Sequence, residues 1–314
     1  MTDLPSRALG DSGIDVSVVG LGCNNFGRRV DLAGTRAVVD AAIAEGVTFL
    51  DTADIYGGSG ASEKLLGEVL QGRRDKVILA TKFGMDMGDG KGPRGSRDYI
   101  RQAVEASLGR LRTDVIDFYW YHQPDGVTPV GETLEALHEL VGEGKVRGIG
   151  ASNFSARQLE EADAFAGEHG VTRFSAVQNQ YSLLVRDAER EVLPVCERLG
   201  IDFVPFFPLA SGLLTGKYRR GEPGPEGARL SGRDHIATEE QFELIDALQN
   251  YADERGLSLI EVAIGALLAR DAVSSVIAGA TKPEQVRVNA AAAMWTPSED
   301  DLRALGDLLE AAPA

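Results

Sequence analysis

Four side chains of this chain are of types that together can move a proton to or from an oxygen: Asp51, Tyr56, Lys82 and His122. A free phenol has a pKa of about 10, so Tyr56 is a poor acid near neutrality unless a nearby cation stabilises its anion. Lys82 can supply that cation, Asp51 can keep the lysine charged, and His122 can orient a carbonyl oxygen. Asp51 and Lys82 also need each other, because each closes an apolar run and an unpaired buried charge is costly. Taken singly, each has a plainer reading. A lone acid or lysine at a strand end is as often half of a structural ion pair, and a lone histidine is more often a hydrogen-bonded core residue.

An alternation of strand and helix patterns must bring the four together. The run Thr48-Phe49-Leu50-Asp51 reads as a strand buried on both faces, as in a parallel sheet, and then enters a glycine-rich loop carrying Tyr56. Before it, segments 6–10 and 14–20 flank the turn signal Asp11-Ser12-Gly13, a hairpin leading into a first strand. Further strands are expected over 76–82, 115–122, 146–151, 174–178, 201–206 and 273–277, with Asp51, Lys82 and His122 each ending its own. Helices with one apolar face fall between them, from Thr35–Ala44 onward. Capping boxes open further helices at Ser155-Ala156-Arg157-Gln158, at Thr238-Glu239-Glu240-Gln241 and at Ser258-Leu259-Ile260-Glu261. Pro194 predicts a kink or a late helix start.

The strands recur at roughly thirty-residue intervals, the spacing of βα units in an eightfold barrel. The expected fold is one domain over residues 1–314. It is an α/β (β/α)8 TIM barrel with an N-terminal β-hairpin, a polar glycine-rich insertion at 219–233 and extra helices near the C-terminus. In such a barrel the C-terminal strand ends converge, which places the four residues around one opening. A doubly wound sheet is the rival, but no strong Gly-x-Gly-x-x-Gly follows the first strand. Gly58-Ser59-Gly60 comes after the second and runs into Glu63, which repels a pyrophosphate.

Composition narrows the partners. Hydrophobic residues at 43% supply a core, and a net charge of -16 opposes nucleic acid and anionic membrane surfaces. A phosphorylated ligand therefore needs its own basic cluster. Cys23 and Cys196 are far apart and fit a reduced, cytoplasmic protein, and neither a signal segment nor a membrane span is read. No metal site or protein partner is expected.

Several segments resemble the aldo-keto reductase superfamily in order and spacing. They include Gly20-Leu21-Gly22, the segment 51–57 with Glu63 beyond it, Thr81-Lys82, Ser107-Leu108 with Asp114, His122 and Gly150-Ala151-Ser152-Asn153. Gln178 with Tyr181, the run Pro208 to Tyr218, and Gly279 to Gln285 with Asn289 complete them. The resemblance spans nearly the whole chain. It implies hydride transfer between a nicotinamide and the carbonyl of an aldehyde or ketone, with Tyr56 protonating the alkoxide. It implies that Ser152, Asn153 and Gln178 hold the carboxamide, that Phe206 offers a stacking face beside Phe207, and that Gly22, Cys23 and Asp51 border the cofactor. Leu209, Ser211, Gly212, Leu213 and Lys217 then cradle the pyrophosphate. Gly279, Thr281, Gln285 and Asn289 meet the adenosine end, where the four-residue spacing of Gln285 and Asn289 puts both on one helical face.

Lys217, Arg219, Arg220, Arg229, Lys282 and Arg287 lie in or beside those segments and favour NADP(H), NADPH over NADH. Asn24, Phe26, Tyr56, His122 and the loop Phe83–Gly95, a reader or a lid, are expected to border a small carbonyl substrate. Two other functions remain open: a nicotinamide-binding regulatory subunit with little turnover, and a barrel lyase using Lys82 as a Schiff-base amine, which pairing with Asp51 disfavours.

Overall fold

The computed structural model describes residues 4–226, 229–231 and 236–311. The chain opens with an antiparallel hairpin, β1 (Ser6–Ala8) and β2 (Asp15–Ser17). Eight parallel strands follow: β3 (Val19–Gly22), β4 (Phe49–Asp51), β5 (Ile78–Phe83), β6 (Ile116–Tyr121), β7 (Val146–Ser152), β8 (Ala176–Gln178), β9 (Asp202–Phe203) and β10 (Val276–Gly279). Their order is β10-β3-β4-β5-β6-β7-β8-β9, and parallel bridges from Phe203 to Val273 and from Phe206 to Ile277 close the ring. The fold is a (β/α)8 barrel.

Helices cover the outside: α1 (Leu32–Ala44), α2 (Ala61–Val69), α3 (Arg97–Leu111), α4 (Val130–Gly142), α5 (Ala156–His169), α6 (Val192–Leu199), α8 (Leu259–Leu268) and α9 (Pro283–Ala292). Two more, α7 (Glu239–Glu254) and α10 (Glu299–Ala311), pack together over a second apolar cluster around Leu214, Leu248 and Leu305. All three expected capping boxes are present, at Ser155, Thr238 and Ser258. Pro194 lies in the first turn of α6, where its missing N–H has no partner to lose, so the helix starts there unbroken. Among the described residues, no helix is long and apolar enough to cross a membrane.

The barrel interior is filled from below. Leu9, Ile14 and Val16 of the hairpin region cluster with Phe49, Phe118, Trp120, Val204 and Ile277. Trp120 is therefore interior packing. It also explains Gly150 on β7, because a Cβ there would come within 2.5 Å of the indole.

Strand limits shift from the sequence expectation. Lys82 is the penultimate residue of β5, and His122 follows β6, although its amide extends the ladder to the Phe83 carbonyl at 2.7 Å. The 201–206 run keeps only two residues as a strand, since Pro205 offers no N–H and Phe206 makes isolated bridges. The last strand begins at Val276, where regular pairing with Val19 starts, and Val273 serves only the closing bridge. Of the insertion at 219–233, residues 227, 228, 232 and 233 lie outside the described residues.

Candidate active site

The C-terminal strand ends open into one cavity of 540 Å³ lined by Asp51, Tyr56 and His122. Lys82 lies behind them, with only 1% of its side chain exposed. Its ammonium pairs with Asp51 Oδ2 and donates to the Thr52 carbonyl at 3.0 Å. The other oxygen of Asp51 accepts from Gln178 Nε2 at 3.1 Å, so the carboxylate is held from two sides. Lys82 Nζ is 5.3 Å from the centre of the Tyr56 ring, and the His122 ring meets that tyrosine edge-on at 5.8 Å. Three strands and one loop thus bring the four expected residues together.

Burial sets their protonation states. Burial of Lys82 disfavours its charge, but Asp51 and Tyr56 outweigh that, and its pKa is raised. Tyr56 is raised chiefly by burial, against the pull of Lys82, and therefore keeps its proton through neutral pH. His122 is pushed down to about 3, by burial first and then by Lys82, so its ring is neutral. His122 Nδ1 is buried without a hydrogen-bond partner among the described residues. The imidazole 15N shifts of His122 should stay those of the neutral ring down to about pH 5.5, where an ordinary histidine is mostly protonated. A transition near 6.5 would refute this picture.

A groove extends from this centre. Ser152 Oγ donates to the Gln178 carbonyl at 2.7 Å, and Asn153 Nδ2 donates to the His122 carbonyl at 2.9 Å. Asn153, at φ 57°, takes the left-handed conformation that asparagine tolerates and lines the cavity. Phe206 and Phe207 form the next wall, edge to face at 5.2 Å, with the Arg229 guanidinium 4.5 Å from the Phe207 ring centre. After them Ala210, Ser211 and Gly212 all take positive φ and curl the backbone into a tight cup, closed by the Ala210 and Gly212 amides donating to the Phe207 and Leu209 carbonyls at 2.8 and 2.7 Å. A Cβ on Gly212 would come within 3.0 Å of Lys217 Nζ, so the glycine lets the ammonium lie over the cup. The far end is lined by Gly279, Thr281, Gln285 and Asn289.

A sequence model of the Aldo/keto reductase family matches residues 18–310. The chain belongs to the aldo/keto reductase family. It is 34% identical to "Aldo-keto reductase YhdN" of Bacillus subtilis (strain 168), over 96% of this chain and 93% of that protein. It is 37% identical to "Uncharacterized oxidoreductase YqkF" of the same organism, over 95% of this chain and 94% of that protein. With "Uncharacterized oxidoreductase YrpG" it shares 36% identity, over 96% and 94% respectively. Family membership makes the chain an oxidoreductase of NAD(P)H-dependent carbonyl reduction, and the resemblance read from its motifs holds.

The residues of this aldo/keto reductase fit a nicotinamide dinucleotide. The groove is long, has a half-buried aromatic face at Phe206, and places the Lys217 ammonium over a backbone cup. The buried oxygen of Asn24 in the same wall lacks a hydrogen-bond partner among the described residues, which suits it to a donor on the cofactor. Gly22 and Gly279 keep the strand ends low there, and a Cβ on Gly22 would press Ile277 at 3.1 Å.

Not every expected residue lines the cavity. Cys23 and Leu213 are buried in apolar clusters. Phe26, expected at the substrate, is fully buried in the core. Arg287 turns to Glu45 and Glu284, and Arg220 to Glu239 and Asp246. Neither they nor Arg219 and Lys282 reach the cavity wall, and the loop 84–95 does not line it.

Conversely, Asn25, Arg29 and Ile260 line it unannounced. Arg29 matters most. Lys217 is lowered by burial and then by the charge of Arg29, so two cations from opposite loops face one groove. The signal for it was the pair Arg28-Arg29 on the first loop, in a chain of net charge -16.

Proposed function

We propose that this chain reduces the carbonyl of an aldehyde or ketone with NADPH as hydride source, Tyr56 being the proton donor. One observation carries the assignment: of the described titratable groups at the deep end of the cavity, Tyr56 alone holds a proton it can release toward substrate. His122 is neutral at its pKa of about 3, and the Lys82 ammonium is sealed behind Asp51. The bound nicotinamide supplies the hydride. His122 and Tyr56 hold the carbonyl oxygen, and Lys82 stabilises the phenolate left after proton transfer. Asp51 keeps the lysine charged. Asn24 borders the substrate, and the neutral His122 ring positions it without competing for the proton.

Ser152, Asn153 and Gln178 are read as the carboxamide site, Phe206 as the stacking face, and the Leu209–Lys217 cup as the pyrophosphate site. Thr281, Gln285 and Asn289 are read as the adenosine site, where the Gln285 side-chain oxygen already accepts from the Thr281 amide at 2.7 Å. Support for NADPH over NADH comes from the cationic wall of Arg29, Lys217 and Arg229 in an acidic chain. The chain is read as one domain over 1–314 that acts in the cytoplasm on a small carbonyl substrate, without nucleic acid, membrane or protein partner.

Nicotinamide absorbance followed with a panel of small aldehydes, ketones and dicarbonyls tests the reading, with NADPH and NADH compared. Turnover supports it. Tight binding without turnover on any carbonyl would favour a regulatory subunit, and no binding would end it. Arg29→Ala and Lys217→Ala should each weaken NADPH binding by about 10-fold, with a shallower salt dependence, since each removes one charge-assisted contact. Fluorescence titration at two salt concentrations measures this, and unchanged affinity in both variants would remove these cations from the cofactor site.

A further inference from the structure

Behind the loop that carries Tyr56 lies a second cluster of polar groups, outside the barrel wall and beneath α2 and α3. Thr81 and Tyr119 are register partners on β5 and β6, and Tyr119 belongs to the outer apolar layer whereas its neighbour Trp120 packs inside. Above them sit Glu63 of α2, Tyr99 and Arg110 of α3, Arg94 at the end of the 84–95 loop, and Asp54.

Glu63 is satisfied on both oxygens, by Thr81 Oγ1 at 2.5 Å and by Arg110 Nε at 2.6 Å. Its neighbours are not. Asp54 Oδ1, Arg94 Nη1 and the Tyr119 hydroxyl are all buried without a hydrogen-bond partner among the described residues. Arg94 is meanwhile held by Asp86 at 2.9 Å and Asp89 at 2.7 Å, with its guanidinium 4.7 Å from the Tyr99 ring centre.

Asp54 is 3% exposed and stands two residues before Tyr56. Its amide donates to the Lys82 carbonyl at 3.0 Å, and the Tyr56 amide donates to the Ala53 carbonyl at 3.1 Å. A shift of Asp54 is therefore passed to Tyr56 through two peptide units.

We propose that Asp54 is a positioning residue for Tyr56: as the neutral acid it seats this loop in the buried cluster, and as the carboxylate it favours the loop's release. The neutral form suits the place. Burial and the ionised Glu63 push the Asp54 carboxyl up to about 7, against the weaker pull of Arg110, the Ile55 amide and Arg94. Tyr99 and Tyr119 face it as neutral phenols, and the Lys82 ammonium is committed to Asp51 on the other side of the strand.

The sign follows from linkage. Released to water, Asp54 regains an ordinary carboxyl pKa of 3.8, whereas seated it titrates near 7. Between those values the seated loop alone holds the proton, so each rising pH unit favours release by about 10-fold. Above about 7 both forms are ionised and the balance stops changing.

Relevance to turnover rests on the reading of Tyr56 as proton donor, but the test does not. Amide exchange of residues 53–57, corrected for its intrinsic pH dependence, is measured from pH 5.5 to 8.5 in the wild type, Asp54→Asn and Asp54→Glu. Wild-type opening should rise about 10-fold per unit up to neutrality and then level, with Asp54→Glu keeping a titration and Asp54→Asn flat. A flat wild-type profile overturns the proposal by itself, even if the variants do not fold, and so does a rise that persists in Asp54→Asn. Carbonyl reduction by the wild type is assayed in parallel. Turnover with a flat profile sinks only the role of Asp54, and the predicted profile without turnover sinks only the role of Tyr56.

Discussion

Tyr56→Phe should lower kcat for carbonyl reduction by about 10²- to 10⁴-fold, the range carried by a positioned general acid, while NADPH affinity stays within about two-fold. The substitution removes one hydroxyl and leaves the ring that Lys82 and His122 face at 5.3 and 5.8 Å. No neighbour can take over. His122 would have to be an imidazolium, which its pKa of about 3 forbids near neutrality, and Lys82 has only 1% of its side chain exposed. A variant that keeps more than about a tenth of wild-type turnover would mean that the proton comes from elsewhere, water included. The reverse reaction gives an independent check. With Tyr56 as the proposed donor, alcohol oxidation would need its anion, and because burial raises the phenol, oxidation should still be accelerating at pH values where reduction is not.

Lys82→Met should cost about 3–5 kcal/mol of stability, as measured by denaturant unfolding, besides abolishing turnover. The methionine fills the space, but Asp51 is 2% exposed and loses its cation, keeping only the Gln178 amide at 3.1 Å. The penalty is that of a buried charge left alone rather than of a lost contact. It follows that Asp51→Leu combined with Lys82→Met should be markedly more stable than Lys82→Met alone, while remaining inactive. If the single variant were as stable as the wild type, the pair would not be buried as the barrel places it.

These expectations draw on two kinds of information. Order and type of element were legible along the chain, because a strand buried on both faces and a helix with one apolar face write different periods into neighbouring residues. Asp51, Lys82 and His122 each closing a strand pattern, and Tyr56 on the loop after Asp51, followed from that periodicity together with barrel geometry. Capping boxes were legible for the same local reason, since both partners lie within four residues. Strand limits were less so: where a run stops pairing depends on its neighbour, as Pro205 and the late start at Val276 show.

Charge was the least local quantity. Six basic residues near the cofactor segments were counted as one cluster, yet Arg287 and Arg220 spend their charge on Glu45, Glu239 and Asp246. Arg29, from the opposite end of the sequence, comes to face Lys217. The sequence by itself determined the chemistry of the strand ends and the family motifs that accompany it. Only the closed ring decided which cations meet in the groove, that Gln178 braces Asp51, and that Asp54 is buried against Glu63. Each of those depends on segments distant in the chain becoming neighbours, and such distances are set by packing around the barrel rather than by spacing along it.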